Sequence, residues 1–277
     1  MNKLRPPAFG AVVEAMPANE DAVGKFQSVR RIRLDIEALR QAGYLPEPGK
    51  VRRLAEAYRH IKRPVIAKAL LPAAPGAADP RVVMLASALP GDGKTFTSIN
   101  LAMSMARERD LSVVLVDGDV VKRDSSRMFG VENERGLLDA VADPAIDVES
   151  LVLPTDVPGL SVLSAGTPDE GATEVLASAR MAVVTAALIA RKARRLVVFD
   201  SPPLLLASES RSIAQVCGQV IMVVCAGKTP QRAILDALGG LPHDKAVALV
   251  LNLTNPGVGD AYYGYGAYAY RDDADAE

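Results

Sequence analysis

From Arg81 onward, short apolar runs alternate with longer amphipathic stretches. RVVMLAS, LSVVLVD, LSVLSAG, RLVVFDS, QVIMVVCAG and AVALVLNLT are rich in β-branched residues and nearly continuously apolar. That is the pattern of strands buried on both faces of a parallel sheet. Between them, FTSINLAMSMARERD, ATEVLASARMAVVTAALIARKAR and TPQRAILDALGGL read as helices. The alternation predicts an α/β fold, a doubly wound, mostly parallel sheet whose ligand site lies at the carboxyl ends of the strands.

Upstream of Arg81 the pattern changes. Residues 1–25 are Pro/Ala-rich and aperiodic, which predicts a mobile N-terminus. Residues 26–80 predict a helical arm and a linker. FQSVRRIRLDIEALRQAG places Val29, Ile32, Ile36 and Leu39 on one stripe and stops at Gly43. After the turn LPEPG, KVRRLAEAYRHIKRPVIAKAL predicts a second helix, broken or kinked at Pro64. The linker LPAAPGAADP follows, with Pro72, Pro75 and Pro80. Residues 81–258 form the main domain and 259–277 a tail.

Composition narrows the possibilities. A chain of 277 residues, 49% hydrophobic, can bury one sizeable core. With 32 basic against 33 acidic residues, no basic nucleic-acid footprint is expected. Cys217 and Cys225 lie in apolar surroundings without metal-type spacing and read as buried thiols of a reducing compartment. The longest largely apolar run, Met181 to Ala190, falls short of the ~18 residues a spanning helix needs. The start, MNKLRPPAFG, lacks a signal-type apolar region. The expectation is a cytoplasmic protein whose membrane role, if it has one, runs through a partner.

The first strand leads directly into SALPGDGKTFTSIN, Ser87 to Asn100. Pro90, Gly91, Asp92, Gly93, Lys94, Thr95 and Phe96 make a candidate nucleotide cradle. Glycines let backbone N–H groups point at an anion, Lys94 supplies positive charge, and the Thr95 hydroxyl suits Mg²⁺. This is a Walker A loop with Ala88 in place of the usual first glycine. Asp117 and Asp119 close the second strand, and Asp200 closes RLVVFD. Asp-Gly is also a common turn pair. Beside a phosphate loop, however, Thr95, Asp117 and Asp200 form the candidate Mg²⁺ site of a nucleoside triphosphate.

Tyrosine is unevenly spread. Only Tyr44 and Tyr58 lie outside the tail, whereas Tyr262, Tyr263, Tyr265, Tyr268 and Tyr270 are crowded into YYGYGAYAY. With SALPGDGKT, VVLVDGDVVKRD, VVFDSPPL and the arm's EAYRHIK, the chain resembles the bacterial tyrosine autokinases of exopolysaccharide and capsule assembly. The resemblance implies a MinD/ParA-like P-loop NTPase fold, use of ATP and Mg²⁺, and phosphorylation of the five tail tyrosines by a neighbouring subunit. Lys94, Asp117, Asp119 and Asp200 are the implied catalytic residues, with Asp117 orienting or deprotonating the phenol. Arg123 or Lys122 is implied to meet phosphate or a neighbouring chain, and Asn252 the adenine edge, though Asn252 reads equally as a polar turn residue. Glu56, Arg59 and Lys62 match the family's E-x-x-R-x-x-R ring contact, with Lys in the last place. Taken alone they are also an ordinary solvated helix face. The implied partners are other copies of the chain, a membrane chain-length-determinant protein that recruits it to the inner membrane face and activates it, and a phosphotyrosine phosphatase. AGTPDEGATEVLAS replaces a proline-rich stretch of many members and resembles the exosortase-associated branch.

Two other readings stay open: a MinD/ParA-like ATPase switch without kinase activity, and a non-catalytic nucleotide-binding regulator of polysaccharide export. The switch proteins carry a lysine early in the loop, where this chain has Leu89. The tail has no use in that reading, unless it is simply an aromatic interaction segment.

Overall fold

The computed structural model describes residues 31–254. Its sheet contains β1 (Val82–Ser87), β2 (Ser112–Asp117), β3 (Leu153–Pro154), β4 (Leu160–Leu163), β5 (Arg195–Asp200), β6 (Gln219–Cys225) and β7 (Ala246–Asn252). The order is β3-β4-β2-β5-β1-β6-β7, and every pairing is parallel except β3 with β4. The helices are α1 (Ile36–Gln41), α2 (Val51–Ala69), α3 (Lys94–Ala106), α4 (Asp124–Met128), α5 (Leu137–Ala142), α6 (Ala172–Ala177), α7 (Arg180–Ala190), α8 (Glu209–Val216) and α9 (Gln231–Gly239).

The sheet divides two apolar layers. On one side Val83, Leu85, Val113, Leu115, Val198, Ile221 and Val223 pack with residues of α2 and α3. On the other, Met84, Val114, Val197, Phe199 and Met222 pack with residues of α5 to α9. β1, β5 and β6 are buried along their whole length, which accounts for their unbroken apolar sequences. The doubly wound arrangement expected from the alternation is therefore present.

Three local expectations are corrected. The first helix does not extend through residues 31–35. There the chain is extended, and Ile32 exchanges backbone hydrogen bonds with Pro154 and Asp156 (2.8 Å each). The helix starts only at Ile36, where the Asp35 carboxylate accepts from Ala38 N at 2.8 Å. The stripe thus mixes an added edge contact, Ile32, with true helix positions, and Val29 lies outside the described residues. Second, Pro64 does not break α2, which continues through it. Pro64 and His60, whose carbonyl loses its helical donor, are both exposed, so water can stand in. Third, the long stretch from Ala172 is two helices. Ser178 leaves the helical region at ψ 154, and its hydroxyl donates back to the Val175 carbonyl (2.7 Å).

The arm is bound tightly to the domain. Tyr58, Val65 and Ala69 of α2 belong to the same buried cluster as Ile99, Ala102 and Met105 of α3. Gln219 Nε2 donates to the carbonyls of Val65 (3.1 Å) and Pro80 (2.6 Å), fixing the arm and linker to the start of β6. Lys62, only 7% exposed, turns inward. Its ammonium donates to the Ser104 carbonyl at 2.8 Å and lies 2.7 Å from Glu108. It thereby caps an orphan carbonyl at the C-terminal end of α3. Replacing Lys62 by Ala removes both contacts and the packed stem. We expect a loss of about 1–3 kcal/mol in the denaturant-unfolding free energy. An unchanged midpoint would show that the contact is not stabilising.

Candidate active site

β1 ends at Ser87, and the chain turns through the loop into α3. Gly91 and Gly93 hold φ of 84° and 88°, left-handed values that side chains resist. Gly93 has a second reason to lack a side chain: a Cβ there would sit 2.0 Å from Asn252 Nδ2. The loop is latched from two sides. Asp92 turns inward, its carboxylate accepting from Leu89 N at 3.2 Å and from the Thr229 hydroxyl at 2.7 Å. Thr229 in turn accepts from Cys225 N at 2.9 Å, and Asn252 Nδ2 donates to the Asp92 carbonyl at 3.0 Å. The loop conformation thus depends on the ends of both β6 and β7.

Lys94 is buried at the first position of α3 and lies 3.7 Å from Asp200. In the β2–β5 register Asp117 is directly opposite Asp200, so two carboxylates emerge side by side at the sheet's carboxyl end. Each is held by hydroxyls. Ser125 donates to Asp200 Oδ2 at 2.7 Å, and the Ser98 hydroxyl lies 3.0 Å from Asp200 Oδ1. Ser126 donates to Asp117 Oδ2 through both N and Oγ, each at 2.7 Å. Asp119 accepts from Lys122 N at 3.1 Å. Burial, reinforced by the charge of Asp200, pushes the Asp117 pKa up to about 7, against the pull of Ser126. Burial likewise holds Asp119 above the usual carboxylate range.

Lys94, Asp117, Asp119 and Asp200 therefore converge at one end of the sheet, around the loop. Thr95 and Phe96 are half-buried on the first turn of α3 beside them. Pro90 and Gly91 form the loop's exposed tip. Arg123, at φ 56°, gives its guanidinium to the Glu132 carbonyl, while Lys122 is exposed. Glu56 and Arg59 pair with one another on the exposed face of α2, away from the inward Lys62. The arm also meets the loop's helix near the site: the Tyr58 phenol meets the Thr97 side chain, and Asn100 Nδ2 donates to the Tyr44 carbonyl of the arm and, within the helix, to that of Phe96 (2.7 Å each). The two non-tail tyrosines thus serve the arm–domain contact. Residues 255–277, and with them Tyr262, Tyr263, Tyr265, Tyr268 and Tyr270, lie outside the described residues.

Sequence reasoning missed Ser98, Ser125, Ser126 and Thr229. Ser98 stands four residues after Lys94, on the same helix face, and that spacing was readable. Ser125 and Ser126 follow the second motif at once and were equally visible. Nothing local marks Thr229, which meets Asp92 only through the fold.

The chain matches the ParA family, described as NUBPL iron-transfer P-loop NTPase, over residues 80–233. YwqD of Bacillus subtilis, a tyrosine-protein kinase, is 30% identical over 167 residues, covering 60% of this chain and 69% of that protein. EpsB of Ralstonia nicotianae is 31% identical over 193 residues, 68% of this chain but only 25% of the relative's length. The VpsO kinase-domain crystal structure superposes with a TM-score of 0.61 at 29% identity, covering 75% of this chain and 98% of that domain. The chain belongs to the ParA-type P-loop NTPases and, within them, to the bacterial tyrosine-kinase family. The α/β P-loop fold inferred from the strand–helix alternation is that of the family.

The site carries a pH prediction. Asp117's folded proton affinity is raised above that of an unfolded carboxyl. Between about pH 4 and 7 the native chain therefore holds a proton the unfolded chain has lost, and this group's contribution to stability falls as pH rises. In metal-free, nucleotide-free protein, Asp117→Asn should lose less stability between pH 5 and pH 8 than wild type in thermal melts. Parallel curves for the two proteins would contradict the raised affinity.

Proposed function

We propose that this chain is a protein-tyrosine autokinase. It transfers the γ-phosphoryl group of ATP to C-terminal tyrosines of a neighbouring copy and thereby regulates polymerisation or export of an extracellular polysaccharide. The observation that carries the proposal is the buried Asp117–Asp200 pair facing Lys94 beside a phosphate loop, in a chain whose tail crowds five tyrosines. Relatives named as tyrosine-protein kinases support it.

The residues present fit Mg·ATP. Buried carboxylates with one close lysine leave negative charge uncompensated, and hard oxygen donors suit Mg²⁺, which needs few protein ligands. Thr95, Asp117 and Asp200 are the residues that would hold the ion, and its chemistry is to neutralise charge on the β- and γ-phosphates. The loop amides and the N-terminus of α3 cradle those phosphates. Lys94 follows the charge as it moves toward the leaving oxygen. The phenol oxygen bonds to the γ-phosphorus as the bond to the β-phosphate oxygen breaks, releasing ADP, and the phenol proton passes to Asp117. Asp119 positions the group, and Asn252 borders the base through its hold on the loop.

Glu56 and Arg59 on the outer face of α2 would contact the next subunit, with Lys62 bracing that helix from inside. Among the described residues no helix is long and apolar enough to cross a membrane. Recruitment would fall to a membrane chain-length-determinant partner, and reversal to a phosphotyrosine phosphatase.

The test is intact mass and tail-peptide mapping after incubation with Mg·ATP, for wild type and Lys94→Met. We expect phosphate on several tail tyrosines of wild type, and phosphorylation slower by about 100-fold or more in Lys94→Met. An unmodified tail with steady ATP hydrolysis would identify an ATPase switch instead. Neither modification nor hydrolysis would point to a nucleotide-binding regulator or to a kinase that waits for its membrane activator.

A further inference from the structure

β7 contradicts its own sequence. AVALVLN reads as an interior strand, yet β7 closes the sheet. One edge pairs with β6, and among the described residues no strand pairs with the other. Val247, Leu249 and Leu251 are 42%, 62% and 61% exposed, although their register partners Val220, Met222 and Val224 are buried. On the opposite face β7 fronts a groove of about 870 Å³, whose far wall is Ala57, Ile61, Pro64 and Val65 of α2. A seven-residue edge strand that is apolar on both faces and open along its backbone is a template for another strand.

The chain beyond the described residues begins where this edge ends. Residues 255–277 follow β7 in sequence after Leu253 and Thr254 and start with Asn-Pro-Gly, a turn signal. Twenty-three residues extend to about 80 Å at most, against about 23 Å for β7, so a return along the edge is well within reach. After the turn, Ala261–Tyr270 combines tyrosine, which favours strands, with residues too small to obstruct pairing. Alternation would put Tyr262, Tyr268 and Tyr270 on one face and Tyr263 and Tyr265 on the other, matching an edge that is apolar on both sides. The end that follows carries Asp272, Asp273, Asp275 and Glu277 against Arg271, and Lys68 lines the groove. The N-terminal residues join the fold at Ile32, which bridges to Thr155 at the far edge of the sheet, so covering β7 would require closing a much longer loop.

We propose that Ala261–Tyr270 folds back antiparallel as an added strand on β7 of its own subunit, laying its tyrosine rings over the exposed Val247, Leu249 and Leu251 and into the α2 groove. One consequence rests on the kinase reading: the docked tail keeps its hydroxyls in store, and a phosphorylated tyrosine, with a charge of about −1.5 to −2, no longer lies on apolar surface. Phosphorylation then frees the tail and bares the edge. The docking itself needs no kinase activity.

The test is amide hydrogen exchange on the full chain without nucleotide, diluted until light scattering gives the mass of one chain. We expect the peptides covering Val247–Leu251 and Tyr262–Tyr270 to exchange about tenfold or more slowly relative to unstructured rates. In Leu249→Asp the tail should return to unstructured rates, while β1 and β5 stay protected. Tyr263→Asp with Tyr265→Asp, which leaves the described fold untouched, should deprotect the β7 edge in the same way. A tail exchanging at unstructured rates in the monomer overturns the proposal. Protection lost on dilution also overturns it, because a second copy would then be the cover.

Discussion

The active site depends on one register. Pairing β2 with β5 so that Asp117 stands opposite Asp200 puts two buried carboxylates together at the end of an apolar sheet. Such a pair is costly unless hydrogen-bonded or met by positive charge. The surroundings answer that cost: Ser126 on one carboxylate, Ser125 and Ser98 on the other, and Lys94 alongside. The strands that create the problem are also what make the site stiff, since they are held on both faces by packed side chains.

The site is also tied to the periphery. The phosphate loop is fastened to the ends of β6 and β7 through Thr229 and Asn252, and its helix to the arm through Thr97 and Asn100. α2 faces inward with Tyr58 and Lys62 and outward with Glu56 and Arg59. An oligomer contact on its outer face would therefore lie one helix away from Lys94. β7 similarly joins the loop at its carboxyl end to an apolar edge that no other strand pairs with among the described residues. Both routes by which another chain segment could influence the site run through elements already fixed to the loop.

Much of this was readable in one dimension, for reasons that can be named. Buried parallel strands must be continuously apolar, and a phosphate loop requires glycines followed by Lys-Thr, so β1, β2, β5 and β6 and the loop could all be read directly. Where the reading failed, a tertiary partner decided. Ile32 fits a helical stripe but is claimed by Pro154 and Asp156 at the sheet edge. Lys62 occupies a position that reads as a surface contact, yet it points inward because Ser104 and Glu108 offer it partners. β7 has an interior strand's composition without the interior. Ser125 and Ser126 stand in plain view after the second motif, but only the fold says which carboxylate each hydroxyl faces.

The central claim is that one subunit's loop phosphorylates another subunit's tail. The most direct test mixes two full-length chains with Mg·ATP: Lys94→Met with its tail intact, and a chain with an intact loop whose five tail tyrosines are phenylalanine. Tail mapping should find phosphate on the Lys94→Met chain, although that chain cannot perform the transfer itself. If its tail stays unmodified while wild type alone becomes phosphorylated, the transfer occurs within one subunit and the account is wrong in its central step.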